Sequence, residues 1–464
     1  MCSSGSVCRL VAVQVEKSPE ALLLYLACVR AGAVFLPLNP GYALREVEYF
    51  VQDAEPRLMV CPPTKQQHVE GIAGTALVET LGQRGDGSLM ERAATEPADF
   101  ADRQRGPDDL AAILYTSGTT GRSKGAMPTH DNLASNARAL VEHWRFTSND
   151  VLIHALPIFH THGLFVASNV VLLSGASMLF FPRFETGEVI AAFDRATTMM
   201  GVPTFYVRLL ADPGLASAKL DRMRLFVSGS APLLSETFLA WRRQTGHDIL
   251  ERYGMTETNM NTSNPYDGDR VPGTVGMPLP GVEIRITEPT SGELVGVDEI
   301  GVIEVRGPNV FKGYWRMPEK TAQEFRPDGF FITGDLGRID GRGYIRIVGR
   351  GKDLIISGGL NIYPKEVETE IDLLPGVIES AVIGLAHPDF GEGVTAVVVG
   401  SPGAALDEAA VIRGLEHRLA RYKQPKRVLF VDELPRNTMG KVQKNLLRQM
   451  FEGLYAKPPS GAAD

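Results

Sequence analysis

The 464-residue sequence predicts an α/β fold, with a large N-terminal domain of parallel-sheet α/β subdomains, a small β-barrel-like part and a small α+β C-terminal domain. Between residues 10 and 228, short apolar segments alternate with helical stretches, which is the order of strands and crossover helices in a parallel sheet. From about residue 281, predicted strands follow one another with only turns between them, which favours antiparallel pairing. We expect domains at 1–351 and 352–456 and a disordered tail at 457–464.

The first expected elements are a strand, a helix and a second strand. The apolar segment 10–15 predicts a buried strand, and Ser18 before Pro19 predicts the capped start of a helix that ends near Ala31. A second strand is expected at 33–38. Similar strands are expected at 112–115, 151–156, 178–181, 199–202 and 225–228. Each precedes a polar or glycine-rich loop, where α/β proteins usually bind ligands.

The second half of the chain has a different pattern. Antiparallel strands are expected at 282–286, 301–306 and 344–347, joined by turns such as Asp340-Gly341. A glycine-bearing, charged segment at 349–353 predicts a linker. After it we expect strands at 353–357, 378–384 and 394–399, a helix starting after Pro364 and a helix at 407–420.

Composition and charge limit the possible classes of function. Apolar residues make up 44% of the chain, charged residues 22%, and the net charge of −8 argues against a nucleic-acid partner. No apolar run reaches membrane-spanning length. The four cysteines all lie in the first 61 residues and fit no metal-site spacing, which is typical of reduced intracellular thiols. We expect a cytoplasmic monomer or homodimer that acts on small molecules, without a membrane partner.

Positive charge is concentrated between residues 411 and 450. This segment holds ten Lys and Arg residues but only three acidic ones, Glu416, Asp432 and Glu433. One interpretation is a solvated helix face with a basic loop. The other is a patch that meets a polyphosphate.

A glycine- and hydroxyl-rich loop follows the apolar strand at 112–115. Residues 112–125 read AILYTSGTTGRSKG, in which glycines let backbone N–H groups point at an anion and Arg122 and Lys124 supply countercharge. The segment is not a Walker A loop, because no Ser or Thr follows the lysine. It predicts binding of nucleotide phosphates; the alternative is a flexible surface loop.

Six further motifs follow in order: LPIFHTHG (156–163), SGSAPL (228–233), ERYGMTET (251–258), FITGDLG (331–337), GRGKDLIISGGLNIYPKEVE (349–368) and PRNTMGK (435–441). Together with the phosphate loop they resemble the adenylate-forming superfamily of acyl-CoA synthetases, luciferases and peptide-synthetase adenylation domains. The resemblance implies the adenylate-forming enzyme fold. It also implies that a carboxylic acid is activated as an AMP ester and passed to a thiol, with ATP, Mg²⁺ and CoA as ligands.

The resemblance assigns nucleotide contacts to many residues. The implied phosphate contacts are Thr116, Ser117, Gly118, Thr119, Thr120, Gly121 and Lys124, with Thr256 at the α-phosphate. The implied adenine contacts are Ser230, Ala231, Pro232 and Tyr253, and those of the ribose are Asp335 and Arg350. Glu257 matches the family's magnesium ligand, and hard oxygen ligands suit that ion. The alternative for a lone glutamate is a solvated surface residue, and the alternative for Gly334-Asp335 is a tight turn without a binding role.

The same resemblance assigns the catalytic lysine and the moving part. Lys441 would bridge the acyl carboxylate and the α-phosphate in the first half-reaction. The small C-terminal domain would rotate about the hinge Lys352 between the two half-reactions. Gly358, Gly359 and Asn361 would then line the tunnel for the thiol. Without the motifs, Lys441 is one of ten basic residues in its segment.

The acid substrate depends on three candidate residues, His160, Met255 and Arg208. Arg208 in the otherwise apolar GVPTFYVRLL (201–210) is either an edge residue or the partner of a second carboxylate. Four longer segments are similar to malonyl-CoA synthetases: HALPIFHTHGLF (154–165), MGVPTFY (200–206), ERYGMTETNMNTSNPYDGDRVPG (251–273) and FKGYWRMPEKT (311–321). This resemblance implies malonate as the substrate, with Arg208 as the partner of its distal carboxylate. It also implies methylmalonate as a second substrate, with Met255 limiting the side of the pocket.

Three alternatives stay open: another short or dicarboxylic acid, the loading of a carrier protein, and a non-catalytic relic. The resemblance also implies a longer segment before the strand at residue 10 than the nine residues present.

Overall fold

The computed structural model describes residues 10–116, 123–289, 291–358, 360–404, 406–437 and 440–455. Contacts divide the chain into two compact units, one formed by the chain up to Ile284 with Val305–Ile332, the other by Arg285–Glu304 and the chain from Thr333 onward. The tail predicted at 457–464 lies outside the described residues, and the domain boundary after residue 351 stays a prediction. Within the described ranges, no helix is long and apolar enough to cross a membrane.

A four-stranded parallel sheet opens the first unit. Its strands are β1 (Leu10–Val13), β2 (Val34–Pro37), β3 (Leu58–Cys61) and β4 (Leu77–Thr80), in the order β2-β1-β3-β4, with helices α1 (Pro19–Ala31), α2 (Leu44–Ala54), α3 (Gln66–Glu70) and α4 (Ser88–Ala93). Ser18 caps α1 by accepting a hydrogen bond from the Ala21 amide, and Gly32 ends the helix at φ 64°. The predicted strand–helix–strand order is confirmed here.

A short antiparallel pair follows, β5 (Leu114–Thr116) and β6 (Lys124–Ala126). Its register places Thr116 opposite Lys124. The two ends of the predicted phosphate loop are therefore adjacent. Helix α5 (His130–His143) then begins with a capping box formed by Thr129 and Asn132.

A seven-stranded sheet forms the rest of the first unit's core. It contains β7 (Val151–His154), β8 (Ser177–Phe180), β9 (Thr198–Gly201), β10 (Leu225–Ser228), β11 (Ile249–Met255), β12 (Asn259–Ser263) and β13 (Met277–Pro278), in the order β13-β12-β11-β10-β9-β7-β8. Its helices are α6 (Asn169–Ser174), α7 (Thr186–Ala192), α8 (Pro203–Ala211) and α9 (Ser235–Thr245). The predicted strands β7, β8, β9 and β10 pair in parallel, which confirms that part of the prediction. β11 also pairs in parallel with β10 but was not predicted, and β12 and β13 are antiparallel.

The third sheet has four strands, β14 (Glu283–Thr287), β15 (Gly301–Arg306), β16 (Phe331–Ile339) and β17 (Ile345–Arg350), which neighbour one another in that order. Helix α10 (Pro318–Gln323) lies between β15 and β16 in the chain. β16 and β17 are antiparallel on either side of the turn at Asp340, which confirms that prediction.

The remainder of the second unit is a mixed sheet with three helices. It contains β18 (Ile355–Ser357), β19 (Leu360–Ile362), α11 (Pro364–Asp372), β20 (Val377–His387), β21 (Gly391–Gly400), α12 (Glu408–Leu415), β22 (Arg427–Phe430) and α13 (Lys444–Met450). The strand order is β19-β18-β21-β20, and β22 runs parallel to β21. The helix expected at 407–420 is shorter than predicted, because α12 ends at Leu415.

Most of the basic segment 411–450 is neutralised within this unit. Six of its ten cations pair with carboxylates from outside the segment: Arg418–Glu370, Lys423–Glu366, Arg427–Glu408, Arg436–Glu379, Lys444–Glu368 and Arg448–Asp353. These pairs favour a structural role for those six side chains over a polyphosphate patch.

Candidate active site

The lysine that closes the predicted phosphate loop is buried and ion-paired. Lys124 is 9% exposed, its Nζ lies 3.2 Å from Glu324 Oε1, and it sits 4.1 Å from the centroid of the Tyr314 ring. Glu324 also pairs with Lys320 at 2.8 Å. Burial acts to raise the pKa of Glu324, but the two lysines lower it overall. The predicted contacts Ser117, Gly118, Thr119, Thr120 and Gly121 lie outside the described residues.

A tight turn between β11 and β12 presents Thr256 and Glu257. The strand pair shifts register between Tyr253 and Gly254, where a β-carbon would lie 1.8 Å from the Asn259 carbonyl oxygen. Only glycine fits this approach, and Asn259 itself adopts φ 48°. The local backbone therefore fixes where Thr256 and Glu257 point.

Glu257 fits the role of a ligand to a nucleotide-bound divalent cation. Its side chain is buried, at 6% exposure, and Oε1 accepts a hydrogen bond of 3.0 Å from the Tyr314 hydroxyl. No group of three or more His, Cys, Asp or Glu in the described part of the chain could hold a metal by itself. Mg²⁺ on phosphates needs only one or two protein carboxylates, with phosphate oxygens and water as the other ligands.

A buried arginine without a carboxylate partner lies near the Ser230 turn. Arg252 is 3% exposed, and its Nε and Nη2 have no hydrogen-bond partner among the described residues. Burial lowers the pKa of Arg252 to about 9. His162 Nε2 is also buried without a partner in the described ranges, while its Nδ1 lies 3.2 Å from Ser230 Oγ. Desolvation and then Arg252 hold the pKa of His162 well below its ordinary value, so the imidazole is neutral.

Buried donors without acceptors are rare in folded proteins and need an explanation. Arg252 and His162 lie within electrostatic reach of each other, and an anionic group of a ligand would satisfy the guanidinium donors. The turn that borders them is strained, since Ser230 adopts φ 72° ahead of Ala231 and Pro232. Tyr253, the predicted adenine contact, is 8% exposed on β11, one residue after Arg252.

The predicted acyl-pocket residues are only partly brought together. His160 Nδ1 accepts a 3.3 Å hydrogen bond from the His162 amide, so it belongs to the Arg252 cluster. Met255 packs beside the aromatic cluster that includes Tyr314. Arg208 is exposed on α8, and no ion pair joins it to another described residue. Its pairing with a substrate carboxylate stays a prediction.

Three predicted residues of the second unit share one neighbourhood. Asp335 Oδ1 lies 2.7 Å from Arg350 Nε, and the Asp335 side chain is 5% exposed. Lys441 is exposed at the surface, yet desolvation by the surrounding protein, followed by Arg350 and Lys352, lowers its pKa to about 8. Asp335 and Asp353 oppose this lowering. The expected ribose and catalytic residues thus lie within electrostatic reach of one another.

The structure gives the positions of the predicted hinge residue Lys352 and of the predicted tunnel residue Gly358. Lys352 lies in a short 3-10 turn, Gly351–Asp353. Gly358 adopts φ 58°, and its amide donates to the Phe390 carbonyl at 2.8 Å. Gly359 and the side chain of Asn361 lie outside the described part of the chain. These roles stay predictions.

Arg252, Tyr314 and Glu324 carry no role predicted from the sequence. A signal existed for Arg252, because a charged residue inside the buried strand ILERYGM must be compensated. Tyr314 lies in FKGYWRMPEKT (311–321), one of the longer matches, but its role and that of Glu324 arise from tertiary contacts with Lys124 and Glu257.

Comparison with known proteins agrees with this arrangement. The chain is 38% identical over 439 residues to a feruloyl-CoA synthase from Amycolatopsis, covering 93% of this chain and 87% of that protein. It is 35% identical over 477 residues to a malonate–CoA ligase from Arabidopsis thaliana, covering 95% and 78%. A crystal structure of ATP-bound MatB from Rhodopseudomonas palustris shares 63% identity at a TM-score of 0.95, covering 97% and 90%. Residues 5–315 match the AMP-binding enzyme family and residues 366–441 its C-terminal domain, and the chain therefore belongs to the AMP-binding enzyme family.

Proposed function

We propose that this chain is an AMP-forming malonate–CoA ligase, which converts malonate, ATP and CoA into malonyl-CoA, AMP and pyrophosphate through an acyl-adenylate. The observation that carries the choice of acid is buried Arg252, whose Nε and Nη2 have no hydrogen-bond partner among the described residues, beside neutral His162. A buried cation without an anion is costly. Malonate activated at one carboxylate still has a second one, which would neutralise this pocket. A monocarboxylic acid has no second carboxylate once its only one is activated.

The relatives support this reaction class and differ in the acid. A malonate–CoA ligase from Mus musculus is 36% identical over 512 residues, close to the value for the feruloyl-CoA synthase. Identity to these relatives alone therefore does not choose the acid. The environment of Arg252 does, because ferulate would place an aromatic ring where unpaired donors need an anion. Methylmalonate keeps both carboxylates and is a second candidate.

In the first half-reaction, a malonate carboxylate oxygen attacks the α-phosphorus of ATP, and the bond from that phosphorus to the β-phosphate bridge breaks. Lys441 places positive charge between carboxylate and phosphate, where negative charge accumulates in the transition state. Asp335, held by Arg350, accepts hydrogen bonds from the ribose hydroxyls. Bound at Glu257, Mg²⁺ would neutralise charge on the triphosphate as pyrophosphate leaves.

In the second half-reaction, the CoA thiolate attacks the acyl carbonyl carbon and AMP leaves with the bond electrons. We assign the approach of the thiol to Gly358, Gly359 and Asn361, and the hinge to Lys352. ATP and CoA are intracellular metabolites, so the proposal places the enzyme in the cytoplasm.

The test is pyrophosphate release with malonate, methylmalonate, succinate, acetate and ferulate, each with and without CoA. We expect malonate to give the highest kcat/KM, methylmalonate to follow, and CoA to be consumed in equal amount to AMP formed. A higher kcat/KM for ferulate or acetate would overturn the choice of acid. Pyrophosphate release without any thioester product would point instead to the loading of a carrier protein.

A further inference from the structure

The hydroxyl of Tyr314 lies between two carboxylates. Its oxygen is 3.0 Å from Glu257 Oε1 and 3.2 Å from Glu324 Oε2. At neutral pH a tyrosine phenol carries its proton. A phenol has one hydrogen and donates fully to only one acceptor at a time.

Two lysines decide which carboxylate receives that hydrogen. Glu324 Oε1 accepts both Lys124 at 3.2 Å and Lys320 at 2.8 Å. These two cations already stabilise the charge of Glu324. The Tyr314 hydroxyl therefore donates its hydrogen to Glu257, which is also the nearer acceptor.

The ring that carries this hydroxyl is fixed on several sides. Tyr314 is 2% exposed and makes an edge contact with Phe311 at a centroid distance of 4.9 Å. Its amide donates to Thr321 Oγ1 at 2.9 Å, and its backbone pairs with Ala126 of β6. The strand that bears Lys124 therefore also holds Tyr314 in place.

We propose that Tyr314 is a positioning residue, which orients the Glu257 carboxylate toward the magnesium–nucleotide complex. Glu324 contributes because its ion pairs with Lys124 and Lys320 stabilise its charge. The Tyr314 hydroxyl can then donate to Glu257. The resemblance assigned no role to this tyrosine. The inference deepens the proposed function and rests on it, because it presumes that the chain binds ATP with Mg²⁺ at Glu257.

The test compares Tyr314→Phe with the wild type in ATP binding, measured by calorimetry without acid or CoA. Phenylalanine keeps the ring and its contacts and removes only the hydroxyl. We expect the Mg²⁺ concentration that gives half of the maximal ATP affinity to rise about fivefold, the scale of one lost hydrogen bond. ATP affinity in EDTA should change less than about twofold. The matched control is Tyr25→Phe, which removes another buried hydroxyl of the same unit, 3.3 Å from Asn169.

A double-mutant cycle separates positioning from general loosening. In a Glu257→Gln background, Tyr314→Phe should cause no further shift in the Mg²⁺ dependence. Equal shifts in both backgrounds, no shift in either, or the same shift in Tyr25→Phe would each overturn the inference. If Tyr314→Phe melts early, the cycle is run at a temperature where all four proteins are folded. Failure of the wild type to bind ATP at all would refute the proposed function instead.

Discussion

The guanidinium of Arg252 packs directly against Gly229. A β-carbon at position 229 would lie 2.5 Å from Arg252 Cζ and 2.6 Å from Nε. Glycine is required here because the guanidinium approaches so closely. The backbone conformation is not the reason, since Gly229 is not among the residues with positive φ. This contact fixes the direction of the one cation on which we base the choice of acid.

Replacing Gly229 with Ala should displace that guanidinium. We expect kcat/KM for malonate to fall on the order of 10²-fold, because shifts of about 1 Å in a charged contact have effects of this size. ATP affinity measured without acid should stay within about twofold of wild type. An unchanged kcat/KM would mean that the position of Arg252 has no effect on the acid.

Replacing Arg252 with Met should separate function from stability. Methionine has a similar length without charge, so kcat/KM for malonate should fall on the order of 10²-fold or more. Because the buried guanidinium lacks an anion, the free energy of unfolding should stay equal or rise by about 1–2 kcal/mol. The comparison is a urea titration alongside the malonate assay. A destabilised Arg252→Met enzyme with wild-type activity would assign Arg252 a purely structural role.

Arg208 offers the contrasting variant. Because it is exposed on α8, Arg208→Ala should leave the free energy of unfolding within about 0.5 kcal/mol of wild type. If it pairs with the distal carboxylate, malonate turnover should fall on the order of 10²-fold while acetate turnover stays the same. If instead malonate turnover holds in Arg208→Ala and falls in Arg252→Met, the carboxylate contact belongs to Arg252 alone.

The sequence predicts what local patterns encode and misses what tertiary contacts create. Ser18 and Pro19 set the start of α1 correctly, because capping involves only neighbouring residues. The helix predicted at 407–420 is too long, because α12 ends at Leu415. Nothing in the apolar pattern of 407–420 marks where the helix stops. Strands β3, β4, β6, β11, β12, β13, β16, β19 and β22 have no counterpart in the prediction.

The candidate site shows the same division. The glycine requirement at Gly254 lies within the recognisable motif ERYGMTET, and its physical reason appears only with the Asn259 carbonyl in place. The basic segment 411–450 gave an ambiguous prediction, because the carboxylates that neutralise most of it come from Asp353 and from the distant segment 366–408. The composition of a segment does not show which carboxylates elsewhere in the chain pair with its basic residues.

Replacing Lys441 with Ala should separate the two half-reactions. Adenylate formation, followed by exchange of labelled pyrophosphate into ATP, should fall on the order of 10³-fold, because a charge that stabilises the transition state is lost. Thioester formation from supplied malonyl-adenylate and CoA should change less than about fivefold. Equal losses in both reactions would remove Lys441 from the first half-reaction.

The lowered pKa of Lys441 also predicts a pH dependence. The ordinary pKa of 10.5 falls to about 8 here, through desolvation first and then Arg350, so the ammonium form is lost as pH rises through 8. Because the first half-reaction needs the charged form, kcat/KM for pyrophosphate exchange should decline above pH 8, approaching tenfold per pH unit. Lys441→Arg supplies the control, since a guanidinium stays charged throughout this range and its slower reaction should show no such decline. A wild-type profile that stays flat to pH 10 would contradict the electrostatic role assigned to this lysine, whereas a decline shared by Lys441→Arg would trace the pH dependence to another group.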